Sequence, residues 1–384
     1  MRVKYGCSNE VASAIDAIGR TEDVQLSPDG RRLAIAGFGK SYLLILDAEI
    51  GGGGETPYTV HFGRSLKVLS AGFAHPHGIA WVNNEVLIVA NRHGAAPLLH
   101  IPLGVNGTEI VAHPVFTIGA TPVDHLNGPG SVALRHIPDG LIEVLICNNY
   151  SHTVSRHFLD QNAGMAVLAS EVVFQSELNI PDGVVYSRTG KWVAVSNHYD
   201  NTVFIYRADQ LGISDKPAGI LRGIVYPHGI TFSPDDRAIF LADAGAPSVY
   251  LYGAPDGDWS GDHLPLHVLS VVELAAFKAL NDNNPEDGGT KGVVLTSDGG
   301  LLCVTCEQEP LFFYDVRQLL ADLQLTPGPV VEPPPASAPK FRELMLHDRR
   351  QTEKLGAELA AIKNSRAWKL VEKLRTIRRL LSRG

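Results

Sequence analysis

Five ionisable residues, Glu22, His77, Asp182, His228 and Lys291, each stand two positions before the first apolar residue of a short strand-like run, and Gly130 holds the sixth such place. A purely structural ring would be expected to hold Asn, Gly, Ser or Thr there. Several charges gathered near an axis are costly unless they pair or bind an ion. Two chemistries fit. Oxygen ligands from Glu22 and Asp182 suit a hard cation, Ca²⁺ or Mg²⁺, that polarises a carbonyl or phosphoryl oxygen while His77 or His228 takes a proton from water. In the other, His77, His228 and Asp182 bind Zn²⁺ directly. The structural alternative is a salt-bridged ring in which Lys291 pairs with Glu22 and His228 with Asp182.

Neighbouring segments add polar groups on the same side. The runs after the second strands carry Asn91 and His93, Asn148, Asn149 and His152, Asn197 and His198, Asp243, and Glu307, while His75 and Asp124-His125 lie on incoming loops. Seven of the fifteen histidines therefore fall near one mouth. A lone loop histidine is usually solvated, so it is the convergence that points to a site. The expected ligand-contacting set is Asn91, His93, Asn148, His152, Asn197, His198, Asp243 and Lys291, around a small-molecule or glycan ligand.

The elements that position these residues are short strands. IPDGVVYSRTGKWVAVSNHYDNTVFIYRAD, from Ile180, reads as three strands of Val, Ile, Tyr and Phe bounded by Gly, Asp and Asn. Its Ser-centred turn recurs in SPDGRRLAIAG from Ser27, SPDDRAIFLAD from Ser233 and SDGGLLCVTCE from Ser297. Repeats at roughly fifty residues, with outer strands such as HPVFTI from His113 and HVLSVV from His267, predict an all-β, six-bladed β-propeller over residues 1–325. The segment Arg2 to Tyr5 is free to complete the last blade. Residues 326–339, TPGPVVEPPPASAP, read as a Pro-rich linker, and residues 340–384 as a basic amphipathic α-helix with Leu370, Leu374, Ile377 and Leu381 on one stripe.

The 384 residues carry a net charge of −8, but from Lys363 onward eight Lys or Arg face Glu372 alone, so the tail is +7 and the rest −15. The propeller is therefore not expected to bind nucleic acid, while the tail suits an anionic membrane surface or a partner helix. The N-terminal stretch has no apolar run fit for a signal peptide, which predicts a cytoplasmic protein, peripheral on the inner face of the membrane. Cys303 and Cys306 form a CxxC inside a strand, where residues three apart face opposite ways, so they read as core.

HPHGIAWVNNEVLIVANRHG from His75, the run from Ile180 and YPHGITFSPDDRAIFLAD resemble blades of the six-bladed superfamily of gluconolactonases, paraoxonases and NHL-type propellers. The resemblance implies a divalent cation held by a first-blade Glu and by acidic or amide residues opening inner strands, which Glu22 and Asp182 match by position. It also implies a catalytic His in a Pro-His-Gly-Ile segment, matched by Pro76-His77-Gly78-Ile79. Gly130 and His228 stand where that family has Asn, and Lys291 is a further departure. A metal-assisted lactonase or esterase-like hydrolase acting on a small, sugar-derived substrate is the leading expectation. The run from Asn364, with Ser365, Arg366, Trp368, Lys369, Leu370, Leu374 and Arg375, resembles the tails of bacterial glycosyltransferases of surface-polysaccharide assembly. That resemblance implies the other expectation, a non-catalytic propeller binding a glycan or protein partner in membrane-associated polysaccharide biosynthesis.

Overall fold

The computed structural model describes residues 1–119, 124–273, 288–307 and 309–325, with Phe277 and Ser365. Among these, the strands form six sheets, one per repeat. The inner strands are Thr21–Leu26, Pro76–Trp81, Pro129–Ile137, Pro181–Tyr186, Pro227–Phe232 and Thr290–Leu295, and each ends the strand order of its sheet. Their free edges therefore surround the axis. Hairpin turns at 27–31, 187–191, 233–237 and 296–300 define one face of the disc, and the loops after the second strands, such as 92–95 and 149–152, define the other. We refer to these as the turn face and the loop face.

The middle strands are apolar almost without a break, as in Leu33–Ala36 and Leu87–Ala90, because each blade has a neighbour on both sides and buries both faces, successive side chains going to opposite neighbours. The six buried clusters are the six interfaces between blades: Ile35, Leu44 and Phe313 join the first blade to the last, and Ile239, Trp192 and Trp259 join the fourth to the fifth. Cys303 lies in one interface and Cys306 in the next, as their spacing predicts.

The last blade is completed by Arg2–Val3, antiparallel to Phe312–Asp315 with Arg2 opposite Tyr314. Tyr5–Cys7 then runs parallel to the outer strand of the first blade, Thr56–Leu69. A helix that the sequence reading did not include, Asn9–Asp16, follows; the Ser8 hydroxyl caps it by accepting from the Val11 N–H, and Val11 and Ile15 bury against the first blade. A short helix, Arg317–Asp322, follows the last strand. The Pro-rich linker and the C-terminal helix lie outside the described residues. Among the described residues no helix is long and apolar enough to cross a membrane.

Candidate functional site

Each inner strand carries a register shift where the ring residue sits, between Thr21 and Val24, Pro76 and Gly78, Pro129 and Val132, Pro181 and Gly183, Pro227 and Ile230, and Thr290 and Val293. A bulge re-aims a side chain out of the regular alternation, and here it turns six residues toward the axis. Glycine follows the ring residue in several blades because backbones meet there: a Cβ on Gly183 would lie 2.0 Å from the carbonyl oxygen of His228. Gly130 is small for a different reason. A Cβ there would stand 2.6 Å from Oδ1 of Asp182 and 2.2 Å from Oδ1 of Asn149.

The five ionisable ring residues converge. Glu22, His77, Asp182, His228 and Lys291 are all at most 6% exposed. Nε2 of His228 lies 3.4 Å from Oε2 of Glu22 and 3.4 Å from Oδ2 of Asp182. Nε2 of His77 is 3.5 Å from the same Glu22 oxygen, and Nζ of Lys291 is 3.6 Å from it. Ligand atoms of Glu22, His77 and His228 all lie within 4.8 Å of one another, a cluster able to hold a metal ion.

Each of three residues is anchored from behind. Oε1 of Glu22 accepts from Nε of Arg20 at 2.5 Å, leaving Oε2 without a hydrogen-bond partner. Oδ1 of Asp182 accepts from Nδ2 of Asn149 at 2.8 Å and Nη2 of Arg92 at 3.1 Å, and Oδ2 faces His228. Nδ1 of His228 lies 3.2 Å from the carbonyl of Lys291. A carbonyl only accepts, so Nδ1 carries the hydrogen, and Nε2, which has no hydrogen-bond partner among the described residues, is the nitrogen able to act as a ligand. His77 differs. Its Nδ1 donates to the Gly130 carbonyl at 2.6 Å and its Nε2 accepts from Nη2 of Arg92 at 2.5 Å, so both nitrogens are engaged.

The electrostatics follow this arrangement. Burial works to raise the carboxyls of Glu22 and Asp182, but Lys291 beside the first and Arg92 beside the second outweigh it and hold both well below the usual range. Burial, reinforced by Arg92, pushes the His77 imidazole down to about 3, so it stays neutral. Burial also lowers His198. Asp23, the next residue along, accepts from the N–H of Val24 at 2.7 Å and of Ile79 at 2.9 Å, and burial raises its carboxyl to about 7.

The loop residues divide into two kinds. Asn91, Asn148, Asn197 and Asp243 close four second strands, and each accepts from a backbone N–H of the incoming loop: Ala74 at 3.0 Å, Asn127 at 3.0 Å, Asn179 at 2.5 Å and Val225 at 3.3 Å. All four are at most 1% exposed, so their polar groups serve to brace loops. His152 is also tied to a loop, its Nδ1 accepting from the Ile180 N–H at 3.0 Å. His93 is exposed and stacks near Tyr150. His198 is buried beside His228, ring centroids 6.4 Å apart. Arg20 and Arg92, which fix the carboxylates, were not in the expected set. Arg92 immediately follows Asn91, and that position was the available signal.

No protein-family description and no curated protein matches the chain. Among solved structures it is similar to a candidate 6-phosphogluconolactonase from Bacteroides fragilis, 14% identical with a TM-score of 0.46 over 78% of this chain and 80% of that one. It is also similar to hydrazine synthase from Kuenenia stuttgartiensis, 14% identical with a TM-score of 0.46 over 77% of this chain and 83% of that one. The chemistry of the ring rests on its own geometry.

Proposed function

We propose that the ring is a divalent-metal site of a hydrolase acting on small lactones or esters, with Glu22, Asp182 and His228 as ligands. The observation that carries this reading is the shared orientation of Oε2 of Glu22, Oδ2 of Asp182 and Nε2 of His228. Each residue is fixed through its other polar atom, and the free oxygens of Glu22 and Asp182 each lie 3.4 Å from the free nitrogen of His228. Two ionised carboxylates on one imidazole nitrogen call for positive charge at that nitrogen, which a bound metal ion supplies. Four ligands at about 2.1 Å from a tetrahedral ion stand about 3.4 Å apart, which matches both His228 separations of 3.4 Å.

The donor set revises the metal expected from sequence. An imidazole joined to two carboxylates suits Zn²⁺ or Mn²⁺ better than Ca²⁺ or Mg²⁺, which take oxygen ligands. The roles of the histidines shift too: His228 is a ligand, and His77, neutral and engaged at both nitrogens, orients the site. When bound, the metal polarises a substrate carbonyl and lowers the pKa of a bound water, which dispenses with a separate side-chain base. Metal analysis of the purified protein, with a panel of lactones and esters, tests the reading. Asp182→Asn should abolish both metal content and turnover.

A second reading, a glycan- or protein-binding propeller within membrane-associated polysaccharide assembly, draws support from Tyr150 and Tyr199 on the loop face, 55% and 49% exposed. In that case Asp182→Asn leaves partner binding intact. In either case the basic tail is assigned to an anionic membrane surface or a partner helix, on the cytoplasmic side.

A further inference from the structure

The ring is covered on the loop face, where its chemistry was expected to open. Arg92 and Asn149 both bond to Asp182, and the buried His198 lies beside His228. Open space lies on the other side. A cavity of about 360 Å³ begins at Glu22, His77, Asp182 and His228 and runs along the inner strands to Pro28 and Arg188 on the turn face. A second cavity, of about 470 Å³, shares Gln25, Leu26, Pro28, Val185, Tyr186 and Arg188 with it and reaches the exposed Asp29 and Asp298. Six shared lining residues make the two a single passage from ring to turn face.

The charges at its mouth are unequal in availability. Oδ1 of Asp29 accepts from the Ser27 hydroxyl at 2.6 Å and the Arg31 N–H at 3.1 Å. Asp298 is occupied by Tyr58, by the Thr296 hydroxyl at 2.5 Å and by the Gly300 N–H at 3.2 Å. Arg188 is exposed, and only its backbone N–H is engaged, donating to Asp236 at 2.8 Å; its guanidinium has no partner among the described residues. A guanidinium keeps its charge at any physiological pH and presents five donors suited to a carboxylate or phosphate.

We propose that small anionic molecules reach the ring from the turn face, passing Arg188, and that the loop face is not the route. This rests on the ring as the seat of chemistry, but its test needs no metal. Gln25 lines both cavities, so Gln25→Cys reports access to the middle of the passage. Its labelling by an anionic (sulfonatoethyl) and a cationic (trimethylammonioethyl) methanethiosulfonate is compared, in a Cys7→Ser background because Cys7 is the half-buried thiol. With each rate divided by that reagent's rate with a free thiol in solution, the anionic reagent should be favoured, and Arg188→Glu should lower the anion-to-cation rate ratio by roughly tenfold, the scale of electrostatic steering. Thr231→Trp, at the turn side, should slow both reagents, and Tyr199→Trp, on the loop face, should slow neither. Slowing by Tyr199→Trp and not by Thr231→Trp overturns the route, and a ratio unmoved by Arg188→Glu overturns the anion preference. Should Gln25→Cys not fold, Tyr186→Cys reports on the same stretch. Absence of metal with these labelling results intact counts against the hydrolase reading alone.

Discussion

Nε2 of His228 and Oδ2 of Asp182 face each other across 3.4 Å, each residue held from behind by a group that belongs to another blade. Such outer partners typically contribute 10- to 100-fold in metal affinity. Asn149→Ala, which removes the 2.8 Å donor to Asp182, is expected to weaken metal binding by roughly tenfold. His228→Gln should leave no metal after dialysis against a weak chelator. Elemental analysis of the dialysed variants reads both, and retention of metal by His228→Gln would remove His228 from the ligand set.

Lys291 sets a limit on that affinity. Its ammonium stands 3.6 Å from the Glu22 oxygen assigned to the metal, and a like charge at such range disfavours a bound cation. Lys291→Met should therefore tighten Zn²⁺ or Mn²⁺ binding by on the order of tenfold or more, since even at the dielectric of bulk water a unit charge a few Å from a divalent ion is worth about 1–2 kcal/mol. Competition with a fluorescent chelator measures it. Weaker binding in this variant would mean that Lys291 organises Glu22 rather than opposing the ion.

Asp243 occupies in the fifth blade the place that Asn91, Asn148 and Asn197 hold in three others. Burial raises its carboxyl to about 6. A carboxyl whose folded pKa is raised favours the fold while protonated, and that contribution is lost as pH rises through the folded value. A shift of about two units is worth about 3 kcal/mol, from which about 1 kcal/mol is lost if the amide cannot also accept from Gly245. Asp243→Asn should thus stabilise the protein by about 2 kcal/mol at pH 8 and hardly at pH 4. Urea unfolding at the two pH values checks the sign.

The propeller was legible because each blade repeats the same short apolar runs and turn chemistry, and the ring because equivalent positions can be read across repeats. Arg92 was missed because its contact is made in space: it follows the second strand of one blade and reaches Asp182 two blades away. Asn91, Asn148 and Asn197 read as ligand contacts in the sequence because they are polar and end near the mouth. Their recurrence was the contrary signal, since a group repeated in blade after blade answers a need of the blade, here an incoming N–H, whereas Glu22, His77, Asp182 and His228 vary from blade to blade. The open side of the axis depends on how far Arg92 and His198 reach, which spacing does not encode.

The tail carries the clearest charge. Lys369, Lys373, Arg375, Arg378 and Arg379 flank the stripe of Leu370, Leu374, Ile377 and Leu381. Each basic residue near an anionic surface contributes about 1 kcal/mol, attenuated by salt, and a short stripe adds too little to anchor alone. The full chain should co-sediment with anionic vesicles at low salt and release at high salt, and a chain ending at Pro339 should do neither while keeping its fold. Full-length protein that ignores anionic vesicles at low salt would leave a partner helix as the explanation.

Closure of the ring of blades depends on a few N-terminal residues. Arg2–Val3 covers the edge of Phe312–Asp315, the Asp315 N–H donates to the Met1 carbonyl at 2.8 Å, and the Arg2 guanidinium lies 4.8 Å from the centre of the Phe312 ring. Tyr5 packs against Phe62 of the first blade and Phe313 of the last, at 5.4 and 6.1 Å between ring centroids. Deleting residues 1–7 uncovers an edge strand rich in aromatics, the template for pairing with another chain. Losing the partial burial of Val3 and Tyr5 costs about 2–4 kcal/mol, each contributing less than the roughly 1.5–3 kcal/mol of a fully buried large apolar side chain, still a sizeable share of a typical folding free energy. The deletion should lower the thermal midpoint and produce oligomers on size-exclusion chromatography. Arg2→Ala, which removes only half-exposed contacts to Glu309 and Phe312, should cost less than about 1 kcal/mol. A deletion that melts like the full chain and stays monomeric would show that the strands of the last blade hold without their N-terminal partner.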